Sequence, residues 1–321
     1  GRSPIASSSF SMCFGRILTK FNYGTQLPNI SQENDVTAPP HRRFSLMLGL
    51  RVVSSAIVLP PVIAAIWYGG ILYSALLAFF GAVMLLELSS LCSFRTAWIK
   101  FVLTAAGACL PVAFEFLGVA VCGFLAACFA AVFLFPSDQR DPLGTRLVFA
   151  VAALLAFAAL LSLLLMRESG GANSVFFLVA VIAGTDIGGY FAGKTIGGPK
   201  LAPQISPNKT WSGLFGGAAL AGLFGMLLFM SPMSPIITNE STNQTNLTML
   251  GVVVLSAIFA PVAQAGDLLE SWLKRKREAK DSGRFIPGHG GLLDRVDGYL
   301  TAAPLAALMV LMHERGYFAW P

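Results

Sequence analysis

Charge is what this chain has least of: only 12% of its 321 residues are Asp, Glu, Lys or Arg, while 55% are hydrophobic. A soluble domain carries about 25% charged residues, so half the usual surface charge is missing. That excludes an ordinary soluble globule and a disordered chain. Cysteine is scarce as well. Cys13, Cys92, Cys109, Cys122 and Cys128 are odd in number and form no C-x-x-C pair, which excludes a disulfide scaffold and a metal ribbon. All but Cys13 sit in or beside apolar runs, where cysteine is expected as a small buried hydrophobe. No Ser-His or Cys-His dyad is evident. The first 40 residues lack an apolar run long enough for a signal-peptide core. They are rich in serine and hold no acid before Glu33, a composition that admits an organellar transit peptide. Residues 1–50 read instead as a disordered cytoplasmic tail.

Long apolar runs are what the chain has in abundance. A helix needs roughly 20 apolar residues to cross the hydrocarbon core, where only internally bonded backbone is tolerated. Nine such runs are found, at about 52–69, 71–90, 100–117, 118–136, 147–166, 174–193, 211–230, 249–266 and 293–312. The third and fourth are nearly contiguous, with Glu115, Phe116 and Gly118 as the expected turn. Glycines within the spans, such as Gly213, Gly216, Gly217 and Gly222, suit close helix packing in lipid. The sequence pI of 9.2 does not point to nucleic acid, because the basic residues cluster in short gaps between apolar runs. With the N-terminus inside, 20 of the 22 Lys and Arg fall on the cytoplasmic side, and only Arg167 and Arg315 fall outside. The expected fold is therefore all-α: a polytopic transmembrane helical bundle of about nine spans, N-in and C-out. Three glycosylation-type sequons, at Asn239, Asn243 and Asn246, fall in the outer loop at 231–248.

Acids inside or at the edge of membrane spans are costly, which makes them functional candidates. Six qualify: Glu87, Asp186, Asp267, Glu270, Asp294 and Asp297. Glu87 stands apart near the end of the second run, with Arg95 as a candidate partner and the lipid interface as the alternative. If the eighth run stays helical past Gly266, Asp267, Glu270, Ser271 and Lys274 share one face. Carboxylates beside a hydroxyl suit a hard divalent cation such as Mg2+, and the adjoining Lys274 and Arg275 suit phosphates. Lys276 and Arg277 fall off this face and read as a solvated basic cluster. Farther on, Pro287, Gly288, Gly290 and Gly291 surround His289 and forbid regular helix. Such a loop brings backbone close to a ligand, as phosphate-cradling loops do. His289 reads as a phosphate contact or proton carrier rather than a buried turn residue. The ninth run then opens with Asp294, Arg295 and Asp297. Helix capping accounts for one of these acids at most, so the pair reads as metal ligands.

Together these residues spell Ser271-x-Leu273-Lys274-Arg275-x4-Lys280-Asp281-x-Gly283-x2-Ile286-Pro287-x-His289-Gly290-Gly291-Leu292-x-Asp294-Arg295-Val296-Asp297. This resembles the signature of the phosphatidate cytidylyltransferase (CDP-diacylglycerol synthase) family. A second block agrees: Asp186, Gly189, Tyr190, Phe191, Gly193 and Lys194, then Lys200, Pro203, Ser206, Pro207, Lys209, Thr210 and Trp211. The resemblance covers roughly 180–300 well and the earlier spans in hydropathy alone. Two positions depart from it, Ser212 and Gly298, where many members carry an acid and a serine. What it implies is transfer of CMP from CTP to phosphatidic acid, giving CDP-diacylglycerol and pyrophosphate. Residues 51–173 would be N-terminal transmembrane helices and 174–321 the catalytic transmembrane region with two cytoplasmic motif loops.

By that resemblance, Asp267 and Asp294 bind the divalent metal, Mg2+, with Ser271 near them, and a second, monovalent cation is admitted. Lys274, Arg275, Lys280, Arg295 and His289 would hold phosphates, oriented by Asp281 and Asp297. Lys200, Ser206, Lys209 and Thr210 would form an opposing wall for CTP or the lipid headgroup, with Asp186 beside them. The expected partners are CTP, phosphatidic acid and membrane lipids, with no nucleic acid and a homodimer admitted. The expected location is a bacterial inner membrane, in preference to an organelle. The rival reading is a polytopic secondary transporter of an anionic solute. That reading calls for charges near the midplane and inverted repeats, whereas the acids here lie at the edges of spans and no repeat is found. An enzyme joining CDP-activated lipid to an alcohol is disfavoured because its aspartate pattern is absent.

Overall fold

The computed structural model describes residues 56–92, 97–134, 143–231, 248–279, 281–283, 291–317 and 320. The N-terminal tail, Arg95, the sequon loop, Lys280 and His289 lie outside the described residues. Eight helices are found among them: α1 (Ala56–Tyr68), α2 (Gly70–Leu91), α3 (Ala97–Ala131), α4 (Leu143–Ser169), α5 (Gly171–Thr195), α6 (Trp211–Phe229), α7 (Met249–Lys276) and α8 (Leu293–Glu314). All but α1 are long and apolar enough to cross a membrane. At 22 residues, α2 is about 33 Å long, which matches a hydrocarbon core of about 30 Å. At 28 residues, α7 is about 42 Å long. Its last turn holds Lys274, Arg275 and Lys276.

The expected runs at 100–117 and 118–136 share one stretch, α3 and the 3-10 turn Val132–Leu134 that follows it. Gly118 interrupts this stretch with φ 73° and ψ 171°, a backbone conformation that glycine adopts without a Cβ clash. Before the break, Ser74 Oγ in α2 donates to Glu115 Oε1 at 3.1 Å. Glu115 and Gly118 share a cavity with Leu164, Leu165 and Arg167 at the end of α4. After the break, the Phe129 ring lies 6.2 Å from Phe157, farther back along α4. The second half of α3 therefore runs antiparallel to α4, and the expected turn falls where the helix is broken. The first expected run appears as the short helix α1.

Small residues set the helix spacing where the backbones come closest. A Cβ on Gly188 of α5 would meet the Gly216 carbonyl of α6, and one on Gly216 would run into the Ala192 methyl. Lipid tails supply no hydrophobic drive between helices, so such close contact is a main source of association. At the α7–α8 crossing, a Cβ on Gly266 would strike the Asp297 carbonyl, and Thr301 Oγ1 donates to Val262 O at 2.6 Å. Near the C-terminus, Trp320 is buried against Phe177 and Phe259 and donates from Nε1 to Ser174 Oγ at 3.0 Å.

Between α5 and α6 lies a feature that hydropathy does not announce, an antiparallel hairpin of β1 (Lys200–Ala202) and β2 (Ser206–Thr210). It ends directly in α6. Thr210 is the N-cap of that helix, its hydroxyl accepting from Gly213 N at 3.1 Å.

One expectation about cysteine is corrected. Cys92 and Cys122 are buried, but Cys109 and Cys128 are exposed on the bundle surface. An apolar run in a membrane protein marks removal from water, which lipid provides as well as protein does.

Candidate active site

The site is assembled where the ends of α5 and α7, the hairpin and the start of α8 converge. The helix α7 continues past Gly266 as expected, and its i,i+4 spacing aligns the polar side chains. Ser271 Oγ lies 3.5 Å from Asp267 Oδ1, and Lys274 Nζ lies 2.6 Å from Glu270 Oε2. Glu270 is 1% exposed, and its Oε1 has no hydrogen-bond partner among the described residues. Lys276 and Arg277 turn away from this face, over the rings of Trp272 and Phe149.

The Gly266 crossing brings Asp297 of α8 beside this face. Ligand oxygens of Asp267, Glu270 and Asp297 all lie within 4.8 Å of one another. Three carboxylates converging there, one of them with an unbonded buried oxygen, are a hard-oxygen donor set suited to Mg2+. Lys209 of β2 ion-pairs with Asp267, so an ammonium already offsets part of the negative charge. Strand alternation explains the placement: Lys209 reaches toward α7 while its neighbour Thr210 turns inward to cap α6. Asp186 lies within electrostatic reach of Asp267, Lys209 and Arg295.

Asp294, the expected companion of Asp267 in holding a cation, is engaged elsewhere. Its Oδ1 accepts from Lys274 Nζ at 2.9 Å. Its carboxylate also accepts from Ser282 N at 3.2 Å and from Gly291 N at 3.1 Å. Lys274 thus bridges Glu270 of the acidic cluster and Asp294, whose carboxyl groups also interact directly. Arg275 is exposed and donates from Nε to Ile205 O at 3.4 Å, bracing the hairpin turn. Arg295, Asp281 and Lys200 are exposed, and Ser206 is half-buried. Thr210, expected in a wall for CTP, is 4% exposed and occupied in the α6 cap and a 3.0 Å contact with Ser212 Oγ.

Two residues outside the expected site set belong to this region. Glu270 carried a local signal, its i+3 spacing from Asp267, and completes the cluster. Glu87 carried none. It lies in α2, and its carboxylate accepts from Leu292 N at 3.0 Å, Leu293 N at 2.8 Å and Ser282 Oγ at 3.1 Å. Gly291, expected to bring backbone close to a ligand, approaches this carboxylate: a Cβ there would come within 2.8 Å of Glu87 Oε2.

The model of a family described as the cytidylyltransferase family matches residues 49–313. A protein of Brucella suis biovar 1 (strain 1330), named phosphatidate cytidylyltransferase, is 50% identical over 153 residues, 47% of this chain and 52% of its own length. The chain thus spans about half the length of the Brucella relatives it matches. A Rickettsia bellii (strain RML369-C) protein of the same name is 37% identical over 171 residues, 53% of this chain and 72% of its own. A Rickettsia typhi (strain ATCC VR-144 / Wilmington) protein, again so named, is 40% identical over 147 residues, covering 45% and 62%. With 49–313 matched, more than half of its length, this helical membrane protein belongs to the cytidylyltransferase family.

Proposed function

We propose that the chain transfers CMP from CTP to phosphatidic acid, forming CDP-diacylglycerol and pyrophosphate at the cytoplasmic face of a bacterial inner membrane. The observation that carries this reading is the cluster of Asp267, Glu270 and Asp297 beside Lys209 and Lys274, at the ends of apolar helices. The relatives' printed name supports the substrate pair, and their bacterial sources support the membrane. The expected concentration of Lys and Arg on one side supports a cytoplasmic site with the N-terminus inside.

A phosphate oxygen of phosphatidic acid attacks the α-phosphorus of CTP, and the bond from that phosphorus to the bridging oxygen of the β-phosphate breaks. The electron pair leaves with pyrophosphate. The nucleophile is already anionic, so no side-chain base is required. What the step needs is alignment of two anionic reactants and neutralisation of charge at phosphorus and on the leaving group. Asp267, Glu270 and Asp297 would hold Mg2+, with Ser271 beside them. When bound, the metal supplies charge neutralisation for the phosphates.

Lys274 and Arg295 hold phosphate oxygens, and Lys280 and His289 of the same motif are assigned there with them. Lys209 exchanges its contact with Asp267 for the triphosphate as the nucleotide enters. Asp294 keeps Lys274 oriented. The acyl chains stay in the bilayer while the headgroup meets CTP at the helix ends.

The test is pyrophosphate release from labelled CTP and phosphatidic acid by the purified protein in detergent with Mg2+. Asp267→Ala should abolish release, and Asp294→Ala should reduce it severely, with membrane insertion intact in both. Wild-type release in Asp267→Ala would remove the metal assignment. An inactive wild type that instead moves an anionic solute across vesicles would favour a transporter.

A further inference from the structure

The helix that carries Asp294 and Asp297 starts without a cap of its own. Its N-cap residue is Leu292, whose side chain has no polar atom, and no local side chain among the described residues caps it. The first amides of a helix have no partner within it, and in an apolar setting each unpaired amide is costly. Glu87 of α2 supplies the missing acceptors across the bundle, taking the amides of Leu292 and Leu293. It is 5% exposed, so its contacts are made away from water, where a charged acceptor is strongest. Its negative charge also meets the positive end of the α8 dipole.

The same carboxylate accepts the Ser282 hydroxyl, on the other side of the motif segment 284–290. A Cβ on Gly283 would come within 2.7 Å of Glu87 Cδ, and one on Gly291 within 2.8 Å of Oε2. Two motif glycines thus make room for a side chain that is not in the motif.

We infer that Glu87 is a positioning residue: it holds the start of α8 so that Asp294 faces Lys274 and Asp297 faces Asp267 and Glu270. This rests on the cytidylyl-transfer reading for its effect on rate. Among the described residues Glu87 touches neither the acidic cluster nor Lys209 or Lys274, so it acts through the Ser282 hydroxyl and the backbone amides of Leu292 and Leu293. Replacement by glutamine keeps the size but removes the charge and turns one acceptor into a donor facing an N–H or O–H group.

The test uses the whole chain in detergent as wild type, Glu87→Gln and Glu87→Asp. Hydrogen–deuterium exchange read by mass spectrometry, with no metal or substrate present, reports the grip on α8 directly. Steady-state pyrophosphate release reports kcat and KM. In Glu87→Gln, exchange over 281–283 and 291–297 should accelerate while exchange over α6 stays unchanged. Losing a side chain that orients metal-binding residues typically costs about 10- to 100-fold, expected here in kcat. KM for CTP should stay within about twofold, since substrate contacts are untouched. Glu87→Asp, which keeps the charge, should recover part of the rate.

Unchanged exchange over 291–297, or a wild-type kcat, overturns the inference. So does acceleration over α6 as well, which would make Glu87 a general stabiliser. If the wild type releases no pyrophosphate, the cytidylyl-transfer reading fails by itself and the exchange arm still decides whether Glu87 holds α8.

Discussion

Glu87 and Asp294 share Ser282: its hydroxyl donates to Glu87 Oε2 at 3.1 Å, and its backbone amide donates to Asp294 Oδ2 at 3.2 Å. One short segment is therefore tied to α2 and to α8 at once. Ser282→Ala removes the first tie and leaves the second. A hydrogen bond to a charged group contributes about 1.5–3 kcal/mol, and Glu87 keeps its two amides, so a loss of about 1.5 kcal/mol is expected. Thermal unfolding in detergent measures it, and a loss of 4 kcal/mol or more, about what breaking a buried ion pair costs, would contradict this arrangement.

Lys274 stands between Glu270 and Asp294, at 2.6 and 2.9 Å. Lys274→Met would leave two carboxylates facing each other with little water, and removing one member of a buried ion pair costs about 3–5 kcal/mol. The thermal midpoint should fall clearly and pyrophosphate release should be lost. Lys274→Arg keeps the charge and should retain much of the stability.

Lys209 ion-pairs with Asp267, so in the proposed site it would compete with a divalent cation for that carboxylate. In Lys209→Met, Mn2+ used as a spectroscopic probe should bind several-fold more tightly in the absence of nucleotide, as read by paramagnetic resonance titration. The KM for CTP should rise in the same variant, because the ammonium no longer meets the triphosphate. Weaker Mn2+ binding would show that Lys209 supports the cation site rather than competing with it.

Gly266 permits the α7–α8 crossing that brings Asp297 to Asp267. Gly266→Ala pushes a methyl into the Asp297 carbonyl, and overpacking of this kind costs about 1–3 kcal/mol. Both the thermal midpoint and the rate should drop. Gly123→Ala is the contrast: nothing among the described residues lies within 4 Å of a Cβ there, and alanine favours helix, so stability should hold or rise.

The polar face of α7 was legible because helical spacing is local: Asp267, Glu270, Ser271 and Lys274 align wherever the helix goes. The turn at Gly118 was legible as well, from a glycine three residues after Glu115 between two apolar runs. Which aspartate of α8 would meet Asp267 was not. Asp294 and Asp297 are both motif residues at the start of one helix, and which of them lies beside Asp267 follows from where α7 crosses it. The hairpin was hidden as well. Its strands are three and five residues long, too short for an alternating pattern to stand out.

Composition and periodicity alone determined a helical bundle built for lipid, because backbone polar groups in hydrocarbon must be satisfied within each helix. They also marked the basic, acid-bearing ends of the last spans as the place for chemistry. Tertiary structure decided that Glu270 and Asp297 join Asp267, that Lys209 reaches them from a hairpin, and that Glu87 caps α8. These contacts join residues far apart in the chain. Their geometry depends on how closely glycine lets two helices approach, and hydropathy does not encode that distance.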